Sequence, residues 1–137
     1  MRFQCPECRE IVVVDNSAAG KMVQCGRCQK NVQVPATRTS PGALIADFII
    51  EKELGRGGMG IVYLSHQISL DREAALKVLS STYANNADFV VGFIKEARAA
   101  AKLNHPHIVQ AYAVGEDEGQ ILLRRRIRAW TPHLCKP

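Results

Sequence analysis

Four of the five cysteines in this 137-residue chain come as two pairs, Cys5-Pro6-Glu7-Cys8 and Cys25-Gly26-Arg27-Cys28, with sixteen residues between them. This C-x2-C-x16-C-x2-C pattern constrains folding more than any other feature. Two thiolates at that spacing grip one ion from a tight knuckle, and a second knuckle completes a tetrahedron. Zn²⁺, with Zn–S distances of roughly 2.3 Å, suits the set; other metals or redox-active thiols are the alternatives. Four protein ligands leave no open coordination position, so Cys5, Cys8, Cys25 and Cys28 are expected to hold a structural ion. Size points the same way, because a segment below about 40 residues cannot bury enough apolar surface to fold without a metal, disulfides or a partner. A structural zinc supplies on the order of 10 to 16 kcal/mol of binding free energy. Pro6 and Gly26 suit the knuckle turns, but the glycine that often follows the second cysteine is replaced by Arg9 and Gln29.

Composition divides the chain further. Residues 1–35 hold the knuckles and the β-prone runs Ile11-Val12-Val13-Val14, Lys21-Met22-Val23-Gln24 and Asn31-Val32-Gln33-Val34, and are read as a small β zinc ribbon. Residues 36–46, with Pro41 and Gly42 after a run of small polar residues, read as an exposed linker that lets the flanking parts move as separate bodies. No long-period repeat is evident. There is no run of about 18 apolar residues and no signal-peptide core after Met1, so a cytoplasmic chain without a membrane span is expected. Net charge is +5, yet the last fourteen residues contribute five positives and no acid, leaving residues 1–123 neutral. That distribution argues against a nucleic-acid-binding face.

From residue 47 the pattern changes to strands at 47–54, 61–69 and 73–79 around the glycine cluster Gly55-Arg56-Gly57-Gly58-Met59-Gly60. A G-x-G-x-x-G run occurs in dinucleotide folds and in plain turns, but here Ile61-Val62-Tyr63-Leu64-Ser65 returns as a strand, not a helix. The loop therefore reads as a hairpin flap whose backbone N–H groups can approach phosphate. Lys77 interrupts an apolar strand on the same face as Ala75 and Leu79, either lining a space for a flat ring or snorkelling at a sheet edge. A helix follows, capped by Asn85 or Asn86, with an apolar stripe Phe89, Phe93, Ala97, Ala100, Leu103. Glu96 sits within that stripe, where a carboxylate needs a partner or must turn to solvent; Lys77 is the natural partner. Strands at 108–114 and 120–123, joined by an acidic turn at 115–119, complete the pattern.

Together these residues resemble the N-terminal lobe of a eukaryotic-like bacterial serine/threonine protein kinase. Leu54-Gly55-Arg56-Gly57-Gly58-Met59-Gly60-Ile61-Val62-Tyr63 matches the glycine-rich loop, Ala75-Leu76-Lys77 the third-strand lysine motif, and Glu96-Ala97-Arg98 the αC glutamate. Leu103-Asn104-His105-Pro106-His107-Ile108-Val109 looks like the junction after αC, giving His105 and His107 structural roles. The resemblance implies an α+β lobe over 47–123, an antiparallel sheet of about five strands with one helix. It also implies that Leu54 to Gly60 cover ATP, with Gly55, Gly57 and Gly60 over its phosphates. Val62 and Ala75 would sandwich adenine, Lys77 hold the α and β phosphates, and Glu96 orient Lys77.

The family's H-R-D and D-F-G motifs, which supply the base and the Mg²⁺ ligands, do not occur in this sequence. The second lobe is thus expected to be absent and the chain by itself inert, with ATP bound weakly and Mg²⁺ only in a complete kinase. Residues 124–137, which hold Trp130 and Cys135, read as a basic tail, from a frameshift or truncation near 121–124 or as a genuine feature. Phosphorylation of protein Ser/Thr is the family reaction, with a protein partner of the ribbon unidentified. The alternatives are a non-enzymatic ribbon adaptor and a nucleic-acid binder using ribbon and tail. An interrupted enzyme predicts a hinge-like apolar-acidic segment in another reading frame downstream of codon 120, and nucleotide sequence without one would refute it.

Overall fold

The computed structural model describes residues 1–102, 111–117 and 120–125. Expectations for Leu103, His105, His107, residues 108–110 and 118–119, and residues 126–137 with Trp130 and Cys135 lie outside the described residues, as do the side chains of Glu96 and Ala100.

The first 34 residues form two antiparallel hairpins, β1 (Arg2–Gln4) with β2 (Ile11–Val13), and β3 (Met22–Gln24) with β4 (Asn31–Gln33). Each hairpin turns through one cysteine pair, and the two are copies displaced by twenty positions. Phe3 faces Val12 as Val23 faces Val32. Val14 N–H donates to Met1 O (3.0 Å) as Val34 N–H donates to Lys21 O (2.9 Å). The expectation of no internal repeat is therefore corrected: Gln-Cys-x-x-Cys-x-x-x-Val-x-Val recurs at residues 4–14 and 24–34. Phe3, Cys5, Cys25, Val32 and Val34 are buried between the hairpins.

The second part carries β5 (Leu44–Ile45), β6 (Phe48–Gly57), β7 (Gly60–Gln67) and β8 (Arg72–Leu79), then α1 (Ser81–Ala84), α2 (Ala87–Ala101), β9 (Ala111–Asp117) and β10 (Gln120–Arg125). Its sheet has six strands in the order β5-β6-β7-β8-β10-β9, against about five expected. The addition is β5, two residues with too little length to show a period. One face of the sheet packs Ala74, Leu76 and Val78 of β8 against Ile45, Phe48, Ile50, Tyr63 and Leu122. The strand expected to reach residue 69 stops at Gln67, because the Asp47 carboxylate accepts from Ser69 N–H (3.1 Å) and Gln67 Nε2 (3.2 Å) and draws Ile68–Leu70 into a 3-10 turn. β9 runs through Asp117, so residues 115–117 are strand where an acidic turn was expected.

The expected linker is not a free tether. Ala43, Leu44 and Ile45 are buried, Phe3 bridges Ala43, and Gln4 N–H donates to Gly42 O (3.0 Å). Strand β1 thereby joins the hairpins to the larger sheet, and the separate bodies expected from composition are in contact. Apolar side chains at 43–45 had a sheet to enter; the polar run before them gave no sign of it. No helix among the described residues is long and apolar enough to cross a membrane.

Helix α2 starts where a side chain can replace a missing carbonyl: Asn86 Oδ1 accepts from Phe89 N–H (3.0 Å). Asn86, of the two candidate caps, does this work. Ala97 is buried, and Phe89 and Phe93 are half-buried and stacked at 6.2 Å. Replacing Asn86 with Ala is expected to lower stability by about 1 kcal/mol, measured by urea unfolding; an unchanged midpoint would show that the cap contributes nothing.

Candidate functional site

In the sheet, β8 lies between β7 and β10, and Lys77 is paired with Val62 on one side and Leu123 on the other. Cross-strand partners share a face, so Val62 and Lys77 lie together, with Ala75 two residues along β8 on the same side. This is the face opposite the Ala74–Leu76–Val78 core. Val62 and Ala75 are 6% and 2% exposed, so the lysine stands among apolar side chains that are themselves buried. The ammonium of Lys77 lies 5.9 Å from the centroid of the Phe93 ring on α2. A cation over an aromatic face gains on the order of 0.5 to 1 kcal/mol near the surface, and the contact fixes α2 against the strand bearing Lys77. The edge-strand alternative for Lys77 does not hold, since β8 is paired on both sides. Glu96 stands one turn beyond Phe93 on α2; its pairing with Lys77 lies outside the described residues.

At the end of β8 stands the β6–β7 hairpin, with Gly57 opposite Gly60 at its tip. The glycines do different work. A Cβ on Gly60 would stand 2.1 Å from Val78 O, and its φ of +154° is one that side chains avoid. Gly60 is therefore required by the close approach of β7 to the end of β8. Ser80 N–H donating to Met59 O (3.0 Å) ties down the same corner. Around Gly57 and Gly58 nothing lies within 4 Å of an added Cβ, so their backbone is open to a ligand. Arg56, also expected at the ligand, directs its guanidinium to Glu53 (3.0 Å). Leu54 lies in an irregular stretch of β6 where the register with β7 shifts between Glu53 and Gly55.

The second cluster is the four cysteines. Their sulfurs all lie within 4.8 Å of one another, with Cys5–Cys28 at 3.8 Å and Cys8–Cys25 at 3.7 Å. A tetrahedron with metal–sulfur bonds near 2.3 Å has edges of roughly 3.8 Å, so the four thiols could bind a metal ion without rearrangement. Each knuckle is closed by its own backbone: Arg9 N–H donates to Cys5 O (2.9 Å), and Gln29 N–H to Cys25 O (2.8 Å). Arg9 and Gln29 adopt φ of +62° and +60°, the left-handed conformation that a glycine usually supplies there. Across the knuckles Arg27 pairs with Glu10 (2.9 Å) and Lys30 with Glu7. Backbone N–H groups of Cys28 and Arg27 lower the Cys25 thiol to about 7. At Cys8 the Glu10 N–H favours the thiolate, but burial and the three other sulfurs outweigh it and push the group up to about 12. Crowded sulfurs resist sharing negative charge, and a bound cation would remove that cost.

Residues 48–126 match the family model described as protein tyrosine and serine/threonine kinase. The chain belongs to the protein kinase family. Its kinase segment is 43% identical over 86 residues to the serine/threonine-protein kinase PknJ of Mycobacterium tuberculosis, covering 63% of this chain and 15% of PknJ. It is 46% identical over 69 residues to serine/threonine-protein kinase PrkC of Bacillus subtilis, covering 50% of this chain and 11% of PrkC. Among solved structures, the PknI kinase domain of M. tuberculosis superposes with a TM-score of 0.56 at 35% identity, covering 63% of this chain and 35% of that domain. The chain thus spans a small part of these kinases' length, and the match falls on the sheet, the glycine hairpin and α2.

The unequal glycines predict unequal mutants. Gly60→Ala must displace backbone and is expected to lower the thermal midpoint by several degrees, as an overpacked site costing about 1 to 3 kcal/mol would. Gly57→Ala has room and should leave the midpoint unchanged. Equal effects would contradict the assignment.

Proposed function

We propose that residues 48–126 are the nucleotide-binding lobe of a serine/threonine protein kinase and that residues 1–35 are a zinc ribbon attached to it. The observation that carries the kinase part is the shared face of Val62, Ala75 and Lys77 beneath a hairpin whose Gly57 and Gly58 are sterically open. Val62 and Ala75, apolar and on one face beside Lys77, would form the wall against which one side of the adenine packs. The ammonium of Lys77 then neutralises phosphate oxygens, and Leu54 to Gly60 lie over them with Gly55, Gly57 and Gly60 offering backbone N–H groups. Phe93 restrains the lysine from one side, and Glu96 is assigned to orient it.

Transfer of the γ-phosphoryl to a protein hydroxyl needs a base and two Mg²⁺ ligands, which the family draws from H-R-D and D-F-G segments. These 137 residues contain neither motif. We therefore assign them ATP binding, and assign phosphorylation of protein Ser/Thr, with its Mg²⁺, to a complete kinase domain. ATP at a hundredfold excess over its dissociation constant stabilises by about 2.7 kcal/mol, so it should raise the melting midpoint by several degrees. Lys77→Met should abolish that rise while leaving the ligand-free midpoint in place. The same rise in both proteins would remove Lys77 from the site.

Cys5, Cys8, Cys25 and Cys28 would hold the ion as four thiolates, and the metal's role is to supply folding energy to hairpins too small for a core of their own. Binding displaces a proton from every thiol still protonated, so affinity falls as pH falls. Above about pH 7 Cys25 is already largely ionised, and below it Cys25 adds a further proton to the exchange. Zinc affinity measured by chelator competition should therefore drop more steeply with acidification below pH 7 than above it. A pH-independent affinity would exclude thiolate ligation.

A further inference from the structure

We propose that the docking partner of the four-cysteine module is the chain's own kinase sheet, and that Asp117 is the latch joining them. Asp117 ends β9, the outer strand of the sheet, and its side chain is 15% exposed. Three distant segments converge on its carboxylate. Arg2, from β1 of the module, donates from Nη2 to both oxygens at 3.1 Å. Arg38, from the connecting segment, places Nη2 at 3.5 Å. Ala46 N–H, in the turn between β5 and β6, donates at 2.8 Å. Charge-assisted bonds of this kind are stronger than neutral ones, and partial burial protects them from screening.

The turn itself depends on this carboxylate. Ala46 takes φ of +52°, an unfavourable conformation for a residue with a Cβ, and its N–H is held by Asp117. Beside the latch, Phe3 is 1% exposed and bridges Ala43, which is 0% exposed. Ile50 N–H donates to Ala43 O (2.9 Å), and Gly42 N–H to Ile50 O (2.8 Å), so the contact continues into β6. On the other side β9 pairs with β10, and β10 with β8 at Leu123–Lys77. Arg2 and Phe3 thus connect the module to both edges of the sheet that carries Lys77.

The inference rests on the metal reading of the cysteines, because a module that folds only when loaded is the two-state element such coupling needs. With the ion bound, β1 is formed and Arg2 and Phe3 are presented together. With the ion removed, β1 loses the hairpin that positions it, and Asp117 loses a partner.

Hydrogen exchange on the full chain tests this, with zinc loaded or stripped by a chelator and Co²⁺ substitution reporting the thiolate site. Stripping zinc should speed exchange at the amides of Leu44, Ile45 and Ala46 by about tenfold or more, the signature of lost local protection. Arg2→Ala and Asp117→Asn, still metal-loaded by their Co²⁺–thiolate absorption, should show the same acceleration at those amides. Unchanged exchange in loaded Arg2→Ala and Asp117→Asn would overturn the latch. Unchanged exchange on stripping a chain shown to be loaded would overturn the coupling. A chain that takes up no metal would refute the metal reading. The two variants would then still decide the latch: acceleration over the parent chain supports it, and no acceleration overturns it.

Discussion

The oxygen of Val78 occupies the space that any side chain at residue 60 would need. That single steric exclusion sets the glycine hairpin over the end of β8. Closer approach of two backbones than a Cβ permits lets β7 pair with β8 along its whole length, from Gly60–Leu79 to Gln67–Arg72. The pairing puts Val62 beside Lys77, and strand alternation then separates the Ala74–Leu76–Val78 core from the face that carries Val62, Ala75 and Lys77. At the tip of the same hairpin the backbone of Gly57 and Gly58 stays open, while Phe93 of α2 reaches the Lys77 ammonium from outside the sheet.

Much of this was legible in the sequence, for a physical reason. Close approach demands glycine, a charge within an apolar strand demands a partner, and a helix buried on one side shows a 3.6-residue period; each leaves a local trace. Gly60, Lys77 and the Phe89–Phe93–Ala97 stripe were visible for those reasons. Strand β5 was not, because Leu44–Ile45 is two residues long and is defined by Phe48 and Ile49 across a turn. Nor was the role of Asp117, which depends on arginines far away in the chain. Arg2 and Arg38 look like ordinary surface charges until the fold brings them to one carboxylate.

The twenty-residue repeat was present in the sequence yet inconspicuous, since the knuckles differ at Pro6-Glu7 and Gly26-Arg27 and, beyond the cysteines, the halves share only a glutamine and two valines of the motif. Geometry exposes it. Equivalent backbone bonds close both knuckles, and the two non-glycine residues after the second cysteines adopt the same left-handed conformation. Arg9 and Gln29 show that the left-handed conformation, with its hydrogen bond to the first cysteine's carbonyl, and not a glycine as such, is what each turn requires.

The two halves of that repeat differ in sign. Glu7 and Glu10 belong to the first knuckle, Arg27 and Lys30 to the second, and each acid meets a base across the pseudo-twofold axis. Two identical half-modules from separate molecules, brought together around one ion, would set carboxylate against carboxylate or cation against cation. The polarity of the duplicated unit would therefore select against metal-bridged assembly of like halves and direct an ion held by the thiols toward one acidic and one basic knuckle.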